Sequence, residues 1–175
     1  MQFDHLEHIL RASAAISKCR DFVIVGSQAI VASFPNAPAA LLVSMEADIY
    51  PLDKPELADL VDGSIGEKSD FHNTFGYYAR GVAPETAILP AGWQSRLVKL
   101  ETPNTGGAVG WCLSPADIAI SKLAAGREKD LDYVAVLLSS GCVRAEEVEA
   151  LIPGLPEATA ELVTARLLRA TRCRP

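Results

Sequence analysis

Apolar residues recur along this chain with two spacings, one typical of helices and one typical of strands. From residue 3 to residue 18 they recur every three or four positions, which predicts an amphipathic helix. Residues 22–25 form a short β-branched run, which predicts a buried strand. The same rules predict further strands over residues 41–49, 77–82, 96–101 and 108–113, and further helices over residues 27–32, 56–62, 115–125, 128–138, 145–151 and 157–170.

The order of these elements predicts an α/β (α+β) fold with a helical C-terminal part. A clear helix start, Ser114-Pro115 with Asp117 in the first turn, marks the change between the two parts. A length of 175 residues suits one domain with a proper core. We therefore expect a single domain over residues 1–175, with an α/β core over about 1–113 and a helical part over about 114–175.

Composition and charge narrow the function classes. Hydrophobic residues make up 49% and charged residues 22% of the chain, which is typical of folded proteins, and the net charge of −6 argues against extensive DNA binding. The four cysteines are scattered, and no apolar stretch is long enough for a membrane span, so a cytoplasmic protein is expected. Near the C-terminus, a basic set is interpreted as a solvated helix end rather than an RNA-binding tail: Arg166, Arg169, Arg172 and Arg174.

Candidate chemistry is concentrated between residues 22 and 52. Glu46 and Asp48 alternate with apolar residues on the predicted strand 41–49, so both carboxylates project from one face. Such a pair supplies the oxygen ligands that Mg²⁺ prefers. Gly26-Ser27 follows the first strand at a predicted strand-to-helix turn, where backbone N–H groups can hold a phosphate.

Together these parts resemble the nucleotidyltransferase superfamily built on the DNA-polymerase-beta-type core. More closely, the chain resembles an uncharacterised bacterial family known only as nucleotidyltransferase-like, over roughly residues 20–140. The motifs that carry the resemblance are VGSQAI, SMEADIYP, FHNTFGYYARGV, LPAGWQSRLV and LSPADIAISKLAAGREKDLDYV. The resemblance implies a small mixed β-sheet flanked by helices. It also implies transfer of an NMP from an NTP, with ATP as the first candidate, to a hydroxyl on protein, RNA or a small molecule.

The resemblance also implies roles for individual residues. Gly26 and Ser27 match the phosphate-binding turn, and Glu46 and Asp48 match the carboxylate pair that binds Mg²⁺ or Mn²⁺. Glu101 is the candidate for a third metal-binding carboxylate. Three cations in the second half are expected to reach the nucleotide phosphates: Lys122, Arg127 and Lys129. Glu46 and Glu101 stand where active members usually have Asp, so the metal geometry is expected to differ.

Two other readings remain open from the sequence. The substituted carboxylates suit a catalytically inactive binding protein on the same fold, such as the antitoxin-like partner of a toxin–antitoxin pair. An unrelated enzyme using the loop-rich segment with His72, Tyr77, Tyr78 and Arg80 ranks last, because no Ser/His/Asp or Cys/His set accompanies it.

Overall fold

A computed structural model describes residues 1–172 of the chain, excepting the side chain of Arg172. The strands are β1 (Asp21–Val25), β2 (Glu46–Pro51), β3 (Tyr78–Gly81), β4 (Val98–Leu100) and β5 (Val109–Cys112). The helices are α1 (Phe3–Ser17), α2 (Ile30–Ser33), α3 (Ala58–Ile65), α4 (Asp70–Phe75), α5 (Pro115–Ala125), α6 (Glu128–Ser139), α7 (Ala145–Glu149) and α8 (Glu157–Arg172). Short 3₁₀ turns join several of them.

The five strands form one mixed sheet in the order β3-β2-β1-β5-β4. β1 lies antiparallel to β2 and parallel to β5, β2 lies parallel to β3, and β4 and β5 form an antiparallel pair. This architecture, with flanking helices and a helical C-terminal part, confirms the predicted fold class. The strands predicted over residues 96–101 and 108–113 are β4 and β5, which form an antiparallel pair.

Strand pairing decides which side chains share each face of the sheet. Gly110 on β5 lies directly under α1, because a Cβ placed there would come 2.9 Å from Leu10 and 3.0 Å from Ile24. Ile24 pairs with Ile49, so these two side chains share the α1 face. Asp48 pairs with Val25 and therefore projects from the opposite face, together with Glu46.

Three local predictions were wrong. The predicted strand over residues 41–49 begins only at Glu46, and two apolar residues of its first half, Val43 and Met45, are exposed. The helix predicted over residues 56–62 is α3, which continues to Ile65. The loop-rich segment contains α4, which follows a Ser69 cap whose side chain accepts from the His72 N–H.

The basic C-terminal helix is only partly solvated. Arg166 Nη1 donates to the carbonyl oxygens of Leu123 and Ala124 at 2.6 and 2.8 Å, so it caps the last turn of α5. Arg169 is exposed, as the solvated reading expects. Arg174 and Cys173 lie outside the described residues.

Candidate functional site

A cavity of about 600 Å³ lies at the end of β1, on the sheet face away from α1. Its lining combines the Gly-Ser turn, the carboxylate pair and the α5–α6 junction. The predicted site residues in this lining are Gly26, Ser27, Glu46, Asp48, Lys122, Arg127 and Lys129. Seven of the eight residues predicted from the sequence therefore line one cavity, and Glu101 is the exception.

Gly26 is required at the turn after β1 for two reasons. Its φ of 73° and ψ of −165° belong to a region of backbone conformation that is essentially restricted to glycine. A Cβ at this position would also lie 2.4 Å from Asp48 Oδ2. The glycine therefore allows the carboxylate of Asp48 to approach the backbone of the turn.

The turn continues as a 3₁₀ segment, Ser27–Ala29, and then as the four residues of α2. The helix expected over residues 27–32 is thus mostly irregular, and its dipole is small. Tyr133 on α6 fixes the turn, since its hydroxyl donates to the Ser27 carbonyl oxygen at 2.7 Å. The turn therefore offers an anion its backbone N–H groups and nearby side chains rather than the end of a long helix.

Asp48 is the electrostatically unusual carboxylate of the site. Its Oδ1 is inaccessible to solvent and has no hydrogen-bond partner among the described residues. Burial, and then repulsion from Glu46, raise the pKa of Asp48 from its ordinary 3.8 to about 6, although Arg80, Lys122 and Arg127 act in the opposite direction. A carboxylate in this state gains free energy from any cation that replaces its lost hydration.

Glu46 is held by the neighbouring strand. Tyr78, its partner in the β2–β3 register, donates its hydroxyl to Glu46 Oε2 at 2.9 Å. Burial and this hydrogen bond raise the pKa of Tyr78 to about 12, so the tyrosine stays a donor at neutral pH. Arg80 is the register partner of Asp48. Tyr78 and Arg80, which the sequence placed in a loop-rich segment, thus lie beside the carboxylate pair through the pairing of β2 with β3.

Asp130 organises the two cations that the α5–α6 junction contributes to the cavity. It is only 1% exposed, and it accepts from Lys122 Nζ at 3.1 Å and from Arg127 Nε at 2.6 Å. Although burial raises the pKa of Asp130, the hydrogen bonds from Arg127 and Lys122 lower it overall. Lys122 Nζ also lies 4.4 Å from the ring centre of Tyr133. Lys129 lines the cavity and is exposed.

Glu101 does not join the carboxylate pair, and its predicted place in the metal site is wrong for this structure. It follows Leu100, which pairs with Gly110, and Gly110 pairs with Phe22 near the start of β1. Asp48 is level with Val25 at the other end of β1, roughly 13 Å away along the strands and three strands across. Glu101 instead forms ion pairs with Arg20 and Lys99.

The remaining residues of the loop-rich segment serve packing. Tyr77 stacks on His5 with ring centres 4.1 Å apart, and its hydroxyl lies 2.8 Å from His8 Nδ1. His72 Nδ1 accepts from the backbone N–H of Lys68. The segment thus joins α4 and β3 to α1, and it assembles no separate catalytic set.

The carboxylate pair can supply some of the ligands of one divalent cation, and a substrate and water would supply the others. Within residues 1–172, no group of three or more His, Cys, Asp and Glu side chains is arranged to hold a metal ion by itself. Mg²⁺ in proteins is commonly bound by one or two carboxylates together with substrate phosphates and water. The unpartnered Oδ1 of Asp48 matches that requirement.

Comparisons with known proteins give the family but no characterised relative. A comparison with curated proteins found no match, and a comparison with solved structures found none. Among residues 1–172, no helix combines the length and the apolar character needed to cross a membrane. Residues 4–168, nearly the whole chain, match the model of the family described as Nucleotidyltransferase of unknown function (DUF6036), and the chain therefore belongs to this family.

Proposed function

We propose that this protein binds an NTP with Mg²⁺ in the cavity at the end of β1 and transfers its NMP to a hydroxyl acceptor. The observation that carries the proposal is the carboxylate of Asp48, which has a buried oxygen without a partner and lies against Gly26. The same cavity contains Lys122 and Arg127. The cavity therefore combines carboxylates that attract a metal cation with cations that attract phosphate, which suits a metal–nucleotide complex.

Asp48 and Glu46 are the residues that would hold the cation. Mg²⁺, or Mn²⁺ in its place, would neutralise charge on the triphosphate and on the departing pyrophosphate. Tyr78 keeps one oxygen of Glu46 in place by its 2.9 Å hydrogen bond, which leaves the other oxygen free for a ligand. The longer Glu side chain thus gains a fixed orientation from β3.

Lys122 and Arg127 would bind the phosphate oxygens. Both are held by the buried Asp130, which pre-organises their positions before a ligand arrives. The Ser27 turn, fixed by Tyr133, would contribute backbone N–H groups, and the exposed Lys129 would add charge at the rim.

The transfer itself is a substitution at the α-phosphorus. The acceptor oxygen forms a bond to this phosphorus, the bond between it and the bridging oxygen to the β-phosphate breaks, and pyrophosphate leaves. The hydroxyl proton passes to solvent. The protein contributes positioning and charge, which are the main sources of catalysis in phosphoryl-group chemistry.

The test uses two radiolabelled ATP samples, one labelled at the α- and one at the γ-phosphate, incubated with the protein, Mg²⁺ and fractions of protein, RNA or small-molecule acceptors. NMP transfer predicts label on an acceptor from α-labelled ATP only, loss of that label in Asp48→Asn, and its retention in Glu101→Gln. Binding of ATP without incorporation from either label would favour the inactive binding protein. Incorporation from γ-labelled ATP alone would refute NMP transfer in favour of phosphoryl transfer.

A further inference from the structure

Two exposed branched apolar side chains, Val43 and Ile88, line the same cavity as the Gly-Ser turn and the carboxylates. Val43 is 77% exposed and Ile88 is 46% exposed. Single exposed apolar residues are common on protein surfaces and need no explanation. Two of them at one concave site, next to groups suited to a triphosphate, indicate a surface that a ligand covers.

The two apolar residues belong to segments that adjoin, in the chain, the carboxylate-bearing strand β2 or its neighbour β3. Val43 lies three residues before Glu46, a span of at most about 11 Å. Ile88 belongs to the segment that follows β3, the strand paired with β2. Lys122 and Arg127 come instead from the α5–α6 junction. The cavity thus receives its cations from one part of the chain and this apolar pair from another.

Small apolar residues widen the apolar surface around the pair. Ala40 and Ala87 belong to the same two segments and also line the cavity. Ser44 lies beside Val43, but its hydroxyl already donates to the Glu46 carbonyl and accepts from the Glu46 N–H. Apart from the exposed Thr86, which precedes Ala87, this surface therefore offers contact area more than hydrogen-bonding groups.

We propose that Val43 and Ile88 form the subsite for the nucleobase of the NTP, an inference that rests on the proposed function. A flat aromatic ring attached to a triphosphate is the ligand that needs both an apolar surface and a cationic end in one cavity. Binding by contact area favours the larger purine bases over pyrimidines, and it discriminates weakly between adenine and guanine.

The test compares two ligands by titration calorimetry, ATP and inorganic triphosphate, each with Mg²⁺. The variant is Val43→Ser/Ile88→Ser, and the matched control is Leu162→Ser, an apolar residue on α8 that is 53% exposed and outside the cavity lining. We expect the double variant to bind ATP about tenfold more weakly, since it loses apolar contact. Its affinity for inorganic triphosphate should stay within twofold, and the control should match the wild type.

An unchanged ATP affinity in the double variant, with triphosphate bound normally, would overturn the nucleobase subsite and leave the proposed function intact. Failure of the wild-type protein to bind either ligand would overturn the proposed function, and the subsite with it. An equal loss of both ligands would also count against the subsite. Val43→Leu/Ile88→Leu keeps the apolar contact and should therefore bind ATP within threefold of the wild type.

Discussion

Removing the charge of Asp48 should stabilise the ligand-free protein. In the folded protein the pKa of Asp48 is about 6, whereas in the unfolded chain it returns to about 3.8. Below pH 3.8 the group is protonated in both states, so it has no effect. Between the two values the unfolded chain ionises first, and the stability of the folded state falls as pH rises. Above pH 6 the loss is complete, and a pKa difference of this size corresponds to roughly 3 kcal/mol.

The variant Asp48→Asn removes the loss of stability that ionisation of Asp48 causes, and it keeps the shape of the side chain. We expect it to be about 3 kcal/mol more stable than the wild type at pH 7.5, and nearly equal to it at pH 4. Urea unfolding at both pH values measures the difference. The exposed Asp53, changed to Asn, is the matched control and should shift stability by less than about 0.5 kcal/mol at either pH.

Bound Mg²⁺–ATP should make the wild type more stable than Asp48→Asn, the reverse of the order without ligand. With Mg²⁺–ATP at about 1,000 times its Kd, the wild type gains roughly 4 kcal/mol by mass action, which exceeds the difference of roughly 3 kcal/mol. Asp48→Asn gains little because it lacks the metal ligand. An Asn variant that is no more stable than the wild type at pH 7.5 would refute the reasoning. A gain of equal size at pH 4 and pH 7.5 would refute it as well, because the gain would then not come from ionisation.

Four further results follow from the site. Gly26→Ala should lower the free energy of unfolding, measured in urea, by about 1–3 kcal/mol. The reason is that the backbone conformation of Gly26 disfavours a Cβ, which would also lie 2.4 Å from Asp48 Oδ2. Unchanged stability would show that the turn can rearrange. Glu101→Gln should leave the calorimetric Kd for Mg²⁺–ATP within twofold, and a large loss would return Glu101 to the metal site. Asp130→Asn should cost about 2 kcal/mol of stability and weaken binding of inorganic triphosphate, since Lys122 loses its charged partner; normal triphosphate binding would contradict its positioning role. Mg²⁺–ATP affinity should rise about tenfold from pH 5 to pH 7.5, as Asp48 with a pKa of about 6 loses its proton, and a flat calorimetric profile would exclude Asp48 as the metal ligand.

Elements with a strong local signal could be predicted from the sequence. α1 and α6 have helical spacing of apolar residues, and α5 begins at Ser114, whose side chain accepts from the Asp117 N–H as the capping pattern predicts. The family membership predicted from the motifs is confirmed by the match over residues 4–168. The helical spacing, the cap and each motif involve residues close together in the chain, so they do not depend on the rest of the fold.

Predictions that depended on long-range packing were less successful. Apolar alternation continues from Leu41 to Ile49, but pairing with β3 begins only at Glu46 and pairing with β1 only at Asp48, and Val43 is left exposed. α4 was missed because its six residues carry little apolar periodicity and its residues are not buried. A short helix of this kind is set by its cap and by aromatic contacts with α1.

In the candidate site, too, local features could be predicted from the sequence and long-range contacts could not. That Glu46 and Asp48 share one face follows from the period of a strand, and the structure has them so. The location of Glu101 depends on the direction and order of β4 in the sheet, which its own sequence does not encode. Tyr78 and Arg80 acquire a role only through the parallel β2–β3 register. Asp130 could be anticipated from its spacing to Lys122 and Arg127, but not its burial.

The most direct test of the central claim is titration calorimetry of ATP with Mg²⁺ on the wild type, on Glu46→Ala/Asp48→Ala and on Glu101→Ala, with folding of each checked by circular dichroism. The account predicts metal-dependent ATP binding in the wild type, its loss in the double variant and its retention in Glu101→Ala. Absence of binding to a folded wild-type protein by ATP or any other NTP, or equal binding by the double variant, would contradict the account.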